Sequence, residues 1–140
     1  MHIIEKSLEI ALKSHIGQSD KAGKPYILHP LRLMMKMTTD EEKSAAVLHD
    51  VIEDSECTAE DLLKQGIPAT VVDAVSSLTK KEGEDYEAFV ERVLNKPLAA
   101  RIKKADIEDN LNVLRLDGLS SKDLQRVAKY HKAWKRLESF

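Results

Sequence analysis

Ala45-Ala46-Val47-Leu48-His49-Asp50-Val51-Ile52-Glu53-Asp54 decides how this chain reads, because an apolar helical run ends there in a cluster of acidic groups. Upstream, Thr39 with a carboxylate three residues on is a capped helix start, so the pattern predicts one helix from there to about Asp54. That helix would set His49 one turn from Glu53 and Asp50 one turn from Asp54. Three carboxylates in five residues repel one another unless something positive lies between them, and His with Asp is a ligand set for Mn²⁺, Fe²⁺ or Zn²⁺. Taken alone, the dipeptide reads better as a solvated helix end with a hydrogen-bonded core histidine. A metal site needs more ligands from elsewhere.

Working outward, Ile3, Ile4, Leu8, Ala11, Leu12 and His15 keep helical spacing up to a stop at Gly17, and residues 18–25 have turn chemistry. Pro30 opens a helix through Leu31 to Met37, which puts His29 at a loop-to-helix junction. Thr58 caps a short helix closed by Gly66, and Pro68 opens another through Val71, Val72, Ala74, Val75 and Leu78. Gly83 marks a break. Tyr86, Phe89, Val90 and Val93 line one helical face, Pro97 opens a long helix to about Leu114, and Ser120 to Asp123 begins the last. In that last helix Leu124, Val127, His131, Trp134 and Leu137 form the apolar stripe, with a basic back. No period-two run competes, although Val71-Val72 favours strand in isolation. The expectation is an all-α compact helical bundle, one domain over residues 1–140.

Lysine plus arginine number 22 against 24 aspartates and glutamates, so no basic surplus exists to neutralise a nucleic-acid backbone. Neither a signal segment nor a membrane-length apolar run is present, and the lone Cys57 offers neither disulfide nor thiolate cluster. A cytoplasmic protein without nucleic-acid or membrane partners is expected, with Cys57 structural or incidental.

Two other segments offer ligands: Asp106, Asp109 and Asn110 share a helical face in Lys103-Lys104-Ala105-Asp106-Ile107-Glu108-Asp109-Asn110, and His29 precedes Pro30. Each alone reads as a charged stripe or a cap. Their order carries more. Gly17-Gln18, Lys21 to Pro30, His49 to Asp54, Thr79-Lys80 and Lys-x-Ala-Asp-x-x-x-Asn at 103–110 together resemble the hydrolase domain of the RelA/SpoT homologues, at fitting intervals across most of the chain.

The resemblance implies an HD-domain fold in which His29, His49, Asp50 and Asp106 hold a metal, Mn²⁺ by preference. It implies that Glu53 and Asp54 position or deprotonate the attacking water, and that Lys21 and Asn110 contact a small-molecule nucleotide. His15 matches a recurrent histidine that supports the site without ligating. The implied reaction is hydrolysis of the 3′-diphosphate of ppGpp-like alarmones to pyrophosphate and a nucleoside 5′-phosphate.

Two stretches depart from the pattern. Asp20 stands where the family often has an arginine able to stack on guanine, and a carboxylate can neither stack that way nor attract phosphate. Where many members read Ala-Asp-Arg-Leu-His-Asn, this chain reads Ala-Asp-Ile-Glu-Asp-Asn. These changes leave ppGpp, ppApp and NADPH open as substrates, and another HD phosphohydrolase, an NADPH phosphatase or a nucleotidase, is the enzymatic alternative. A nucleotide-sensing module without turnover is the alternative of another class, opposed by the complete set of metal and catalytic positions.

Overall fold

The computed structural model describes residues 1–139. In chain order it contains α1 (Ile3–His15), α2 (Leu28–Met35), α3 (Asp40–Leu48), α4 (Val51–Asp54), α5 (Ala59–Lys64), α6 (Ala69–Ser77), α7 (Tyr86–Leu94), α8 (Pro97–Asn110), a 3₁₀ turn at Val113–Arg115, and α9 (Ser121–Glu138). Thr39, Thr58 and Ser120 start α3, α5 and α9 with capping boxes, each hydroxyl accepting from the amide three residues on. The all-α expectation holds. No described helix is long and apolar enough to cross a membrane.

The centre of the bundle is α3, whose Ser44 to Leu48 are buried on every side against α1, α2, α6 and α8. A helix apolar all round belongs in a core, which is why this run of small and branched residues sits where neighbouring helices approach closely. Val71 and Val72 are helical in α6 because packing against the core outweighs their local strand preference. A smaller apolar cluster of Val90, Ile107, Ala133 and Leu137 fastens α7, α8 and α9 together.

Four boundaries or faces differ from expectation. The helix expected to reach Asp54 breaks at His49 and Asp50, where Asp50 turns out of helical geometry at φ −105°, ψ 2°. Neighbouring side chains on an unbroken helix diverge, so the break lets His49 and Asp50 turn toward one another. The helix at Pro30 begins earlier, at Leu28, and ends at Met35. The helix from Pro97 stops at Asn110 instead of reaching Leu114, because the chain tightens into the 3₁₀ turn. In α9 the buried face is Ala133 and Leu137 with Tyr130 and Trp134 beside them, while Leu124 and His131 are exposed. Tyr130 packs its ring on Tyr86 and keeps a polar tip, so it takes the inward place that the spacing gave to His131, while Trp134 and Leu137 stay in the packed face.

The segment between α6 and α7 is clamped by Arg92, which bonds both oxygens of Glu84 at 2.9 and 3.0 Å and the carbonyls of Ser77 and Thr79 at 3.0 Å each. The Arg92 guanidinium and the Lys81 amide pull the Glu84 carboxyl down to about 2. A depressed carboxylate contributes stability above its unfolded value, here 4.5, and loses it as pH falls toward about 2. Thermal melts of the parent and Glu84→Gln should therefore differ by a constant margin from pH 7 to about 4.5, then converge toward pH 2. A margin unchanged down to pH 2 would remove this carboxylate from the clamp.

Candidate active site

The break after α3 sets the geometry of the site. A helix end leaves carbonyls unpaired, and the Nδ1–H of His49 donates back to Ala46 O at 2.8 Å. The proton on Nδ1 leaves Nε2 as the free nitrogen, buried and without a well-aligned hydrogen-bond partner. It lies 3.0 Å from Asp50 Oδ2 and 3.6 Å from Asp106 Oδ1. From α2, His29 Nε2 lies 2.8 Å from the same Asp106 oxygen. Donor atoms of His29, His49 and Asp50 fall within 4.8 Å of one another, and Asp106 closes the set from α8.

The surrounding charges keep these groups poised. Burial alone would lower the pKa of His49, but the Asp50 and Asp106 carboxylates outweigh it and hold the ring well above the ordinary histidine value. His29 is raised too, because Asp106 and Asp109 overcome its burial. Against burial, Asp50 is lowered by His49, and Asp106 is lowered by Lys103 and the two histidines. A site that draws protons onto imidazoles among carboxylates is one where a divalent cation would replace those protons, and two imidazoles with two carboxylates suit a borderline transition metal. The donor chemistry and the orphaned Nε2 fit such an ion.

Tyr26 and Lys103 hold the carboxylates in place. The Tyr26 hydroxyl donates to Asp50 Oδ2, and burial followed by the Asp50 charge pushes its pKa up. Lys103, nearly buried, donates to Asp106 Oδ2 at 2.9 Å and lies over the rings of Phe89 and Tyr86. Asn110 donates to Asp106 Oδ1 at 3.2 Å.

Glu53 and Asp54 project from α4, more exposed than the His and Asp groups behind them. Burial and then the Asp50 charge raise both carboxyls, while the Lys80 amide bonded to Glu53 pulls that one back. His15 is buried, its Nδ1 bonded to Gln18 Oε1 at 2.9 Å, and Gln18 Nε2 reaches Asp54 O at 3.0 Å. His15 does not belong to the His29, His49 and Asp50 group.

Lys21 and Asn110 line one pocket of about 310 Å³, together with Tyr26, His29, Arg32, Asp109, Asn112 and Arg115. Lys21 stands at the tip of a turn made by Asp20, whose Oδ1 accepts from the amides of Ala22 and Lys24 at 2.9 Å each. Gly23, at φ +79°, supplies the left-handed residue this turn requires. The carboxylate that cannot stack on a base is therefore used to shape the loop.

The other departures are also absorbed. Ile107 is buried in the smaller apolar cluster, Glu108 accepts from Trp134 Nε1 at 3.0 Å, and Asp109 meets His29 Nδ1 at 2.6 Å. The sequence offers Asp109 as a candidate ligand, whereas the structure sets it behind His29 and outside the ligand group, and the sequence gives no site role to Tyr26, Arg32, Lys103 or Arg115. For Lys103 a signal existed, since it lies three residues from Asp106 on one helix; for Arg115 none did.

No family model matches the chain. It is 34% identical over 125 residues to a guanosine-3′,5′-bis(diphosphate) 3′-pyrophosphohydrolase of Vibrio cholerae, a match covering 79% of this chain and 18% of that protein. A protein of the same description from Haemophilus influenzae is 33% identical over 132 residues, covering 86% of this chain and 20% of that one. A GTP pyrophosphokinase of Streptomyces coelicolor is 32% identical over 149 residues, covering 98% of this chain and 17% of that protein. Among solved structures, one of a metazoan ortholog of SpoT that hydrolyses ppGpp superposes with a TM-score of 0.80 over 98% of this chain and 85% of that one, at 24% identity, and shares its fold. The chain spans about a fifth of the length of the curated relatives it matches. On these sequence matches, the chain belongs to the RelA/SpoT-homologue family.

Proposed function

We propose that residues 1–140 form a single HD-type hydrolase domain that removes the 3′-diphosphate of an alarmone nucleotide, ppGpp or ppApp, as pyrophosphate. The observation that carries this reading is the convergence on the orphaned His49 Nε2 of a second histidine and two carboxylates, with Glu53 and Asp54 one short turn beyond. The names of the bacterial relatives support the substrate class.

His29, His49, Asp50 and Asp106 would hold a divalent ion, Mn²⁺ in our reading. When bound, such an ion acidifies a water molecule and neutralises charge on phosphoryl oxygens. The remaining work falls to the chain. Lys103 and Asn110 keep Asp106 ionised and aimed, and Tyr26 does the same for Asp50. Lys21, on its fixed turn, offers an ammonium to substrate phosphate, and Asn110 lines the same pocket from α8. Glu53 or Asp54 accepts the proton from water as it adds to the phosphorus joined to the ribose O3′. The P–O3′ bond breaks, O3′ takes up a proton, and pyrophosphate leaves.

Product analysis tests this directly. Protein loaded with Mn²⁺ is offered ppGpp, ppApp and NADPH separately, each with a chelator control. Pyrophosphate release from ppGpp or ppApp, abolished by chelator, is the expected result, and the preferred base shows what the Asp20 turn admits. Phosphate release from NADPH alone would replace this reading with that of a nucleotide phosphatase, and nucleotide binding without any turnover would make the protein a sensor.

A further inference from the structure

Asp109 is buried beside the site yet lies outside the group of candidate ligands, and its oxygens are already committed. Oδ2 meets His29 Nδ1 at 2.6 Å. Arg32 approaches both oxygens, at 2.8 Å to Oδ1 and 3.0 Å to Oδ2. Arg115 reaches Oδ2 at 3.3 Å and the Asp109 carbonyl at 2.7 Å. Two guanidiniums thus surround a carboxylate whose remaining neighbour is one edge of an imidazole.

The other edge of that ring faces Asp106, three residues earlier on α8 and on the same helical face. A neutral imidazole can present a lone pair on one nitrogen only when the other keeps the proton. Asp106 shares itself among His29, His49, Lys103 and Asn110, whereas Asp109 turns an acceptor to a single ring nitrogen. We propose that Asp109 is a positioning residue that holds the proton on His29 Nδ1 and so leaves His29 Nε2, the nitrogen that faces Asp106 and His49, to give its electron pair to a bound cation. Arg32 and Arg115 keep it ionised and fixed. This rests on the reading of His29 as a metal ligand, and it gives a use to a residue at one of the positions where the chain departs from the pattern it resembles.

A merely structural Asp109 would tie α2 to α8 through Arg32 and affect melting alone. The test therefore reads the ring and the metal. In the full chain loaded with Zn²⁺, long-range ¹H–¹⁵N spectra of His29 should show Nδ1 protonated in the parent and a shifted, exchange-broadened Nδ1 signal in Asp109→Asn. With Co²⁺ as probe, competition against a chromophoric chelator should show affinity about 10- to 100-fold weaker in Asp109→Asn, with an altered visible spectrum. Asp109→Glu keeps the charge between the arginines but displaces the oxygen by one methylene. It should stay folded, lose Co²⁺ affinity in the same direction, and it decides the matter if Asp109→Asn does not fold. Variants that melt lower yet keep parental Co²⁺ affinity and His29 protonation would overturn the role of Asp109 while leaving the metal centre intact. A parent that binds no Co²⁺ would overturn the ligand set and this proposal together.

Discussion

Asp106→Ala is expected to lose the metal, lose all turnover and lower the stability of the fold by about 3 kcal/mol, the cost of leaving one partner of a buried ion pair uncompensated. The size follows from what Asp106 holds. Its Oδ2 accepts from Lys103 at 2.9 Å, and its Oδ1 meets His29 at 2.8 Å and Asn110 at 3.2 Å. Alanine would leave the Lys103 ammonium nearly buried, with only the faces of Phe89 and Tyr86 at 5.0 and 5.6 Å as compensation. Urea denaturation and elemental metal content measure the two effects separately. Adding Lys103→Met to the alanine variant should restore part of the stability and none of the metal, since it removes the stranded charge but not the missing ligand. A single variant that keeps one equivalent of metal and parental stability would dismantle the proposed centre.

Glu53→Gln should behave in the opposite way, with metal content unchanged, stability within about 0.5 kcal/mol of the parent and turnover lower by about 10²–10⁴. Glu53 stands exposed on α4, so the fold rests little on it. Its carboxyl is raised by partial desolvation against the site and by the Asp50 charge, an environment that favours a group accepting a proton over one locked in an ion pair. Glutamine keeps the shape and the contact with the Lys80 amide and removes only the capacity to take a proton. Parallel assays of Asp54→Asn determine which of the two carboxylates takes the proton; full activity in Glu53→Gln would strike it from the reaction.

The helices were legible because their signals are local. Thr39, Thr58 and Ser120 announce starts through chemistry complete within four residues, and the apolar spacing of Ala45 to Leu48 states its burial. The break at His49-Asp50 was not legible, since no glycine or proline marks it; Asp50 leaves the helix while engaged by Tyr26, 24 positions earlier. In α9 Trp134 and Leu137 pack as their spacing predicts, whereas Leu124 and His131 face outward, because the choice between Tyr130 and His131 as an inward residue depends on Tyr86 across the interface. At the site, motif order brought His29, His49, Asp50 and Asp106 to attention, and the structure brings them together. What periodicity could not convey was the second layer: Asp109 between two arginines, and Asp20 used as a turn-former where its charge alone suggested repulsion.

His29 meets Asp106 and Asp109 across 77 and 80 positions of chain. Contacts of such long reach pay their loop-closure cost before they return anything, so in folding they follow the helices that bear them. A nascent or partly denatured chain can thus be rich in helix while α8 has yet to dock on α2, and in that state one of the four donors, Asp106, is missing together with the Lys103 and Asn110 that hold it. Far-ultraviolet circular dichroism would register such a chain as largely native, whereas its chemistry would be absent; the arrival of α8 is the step at which a helical chain becomes a site.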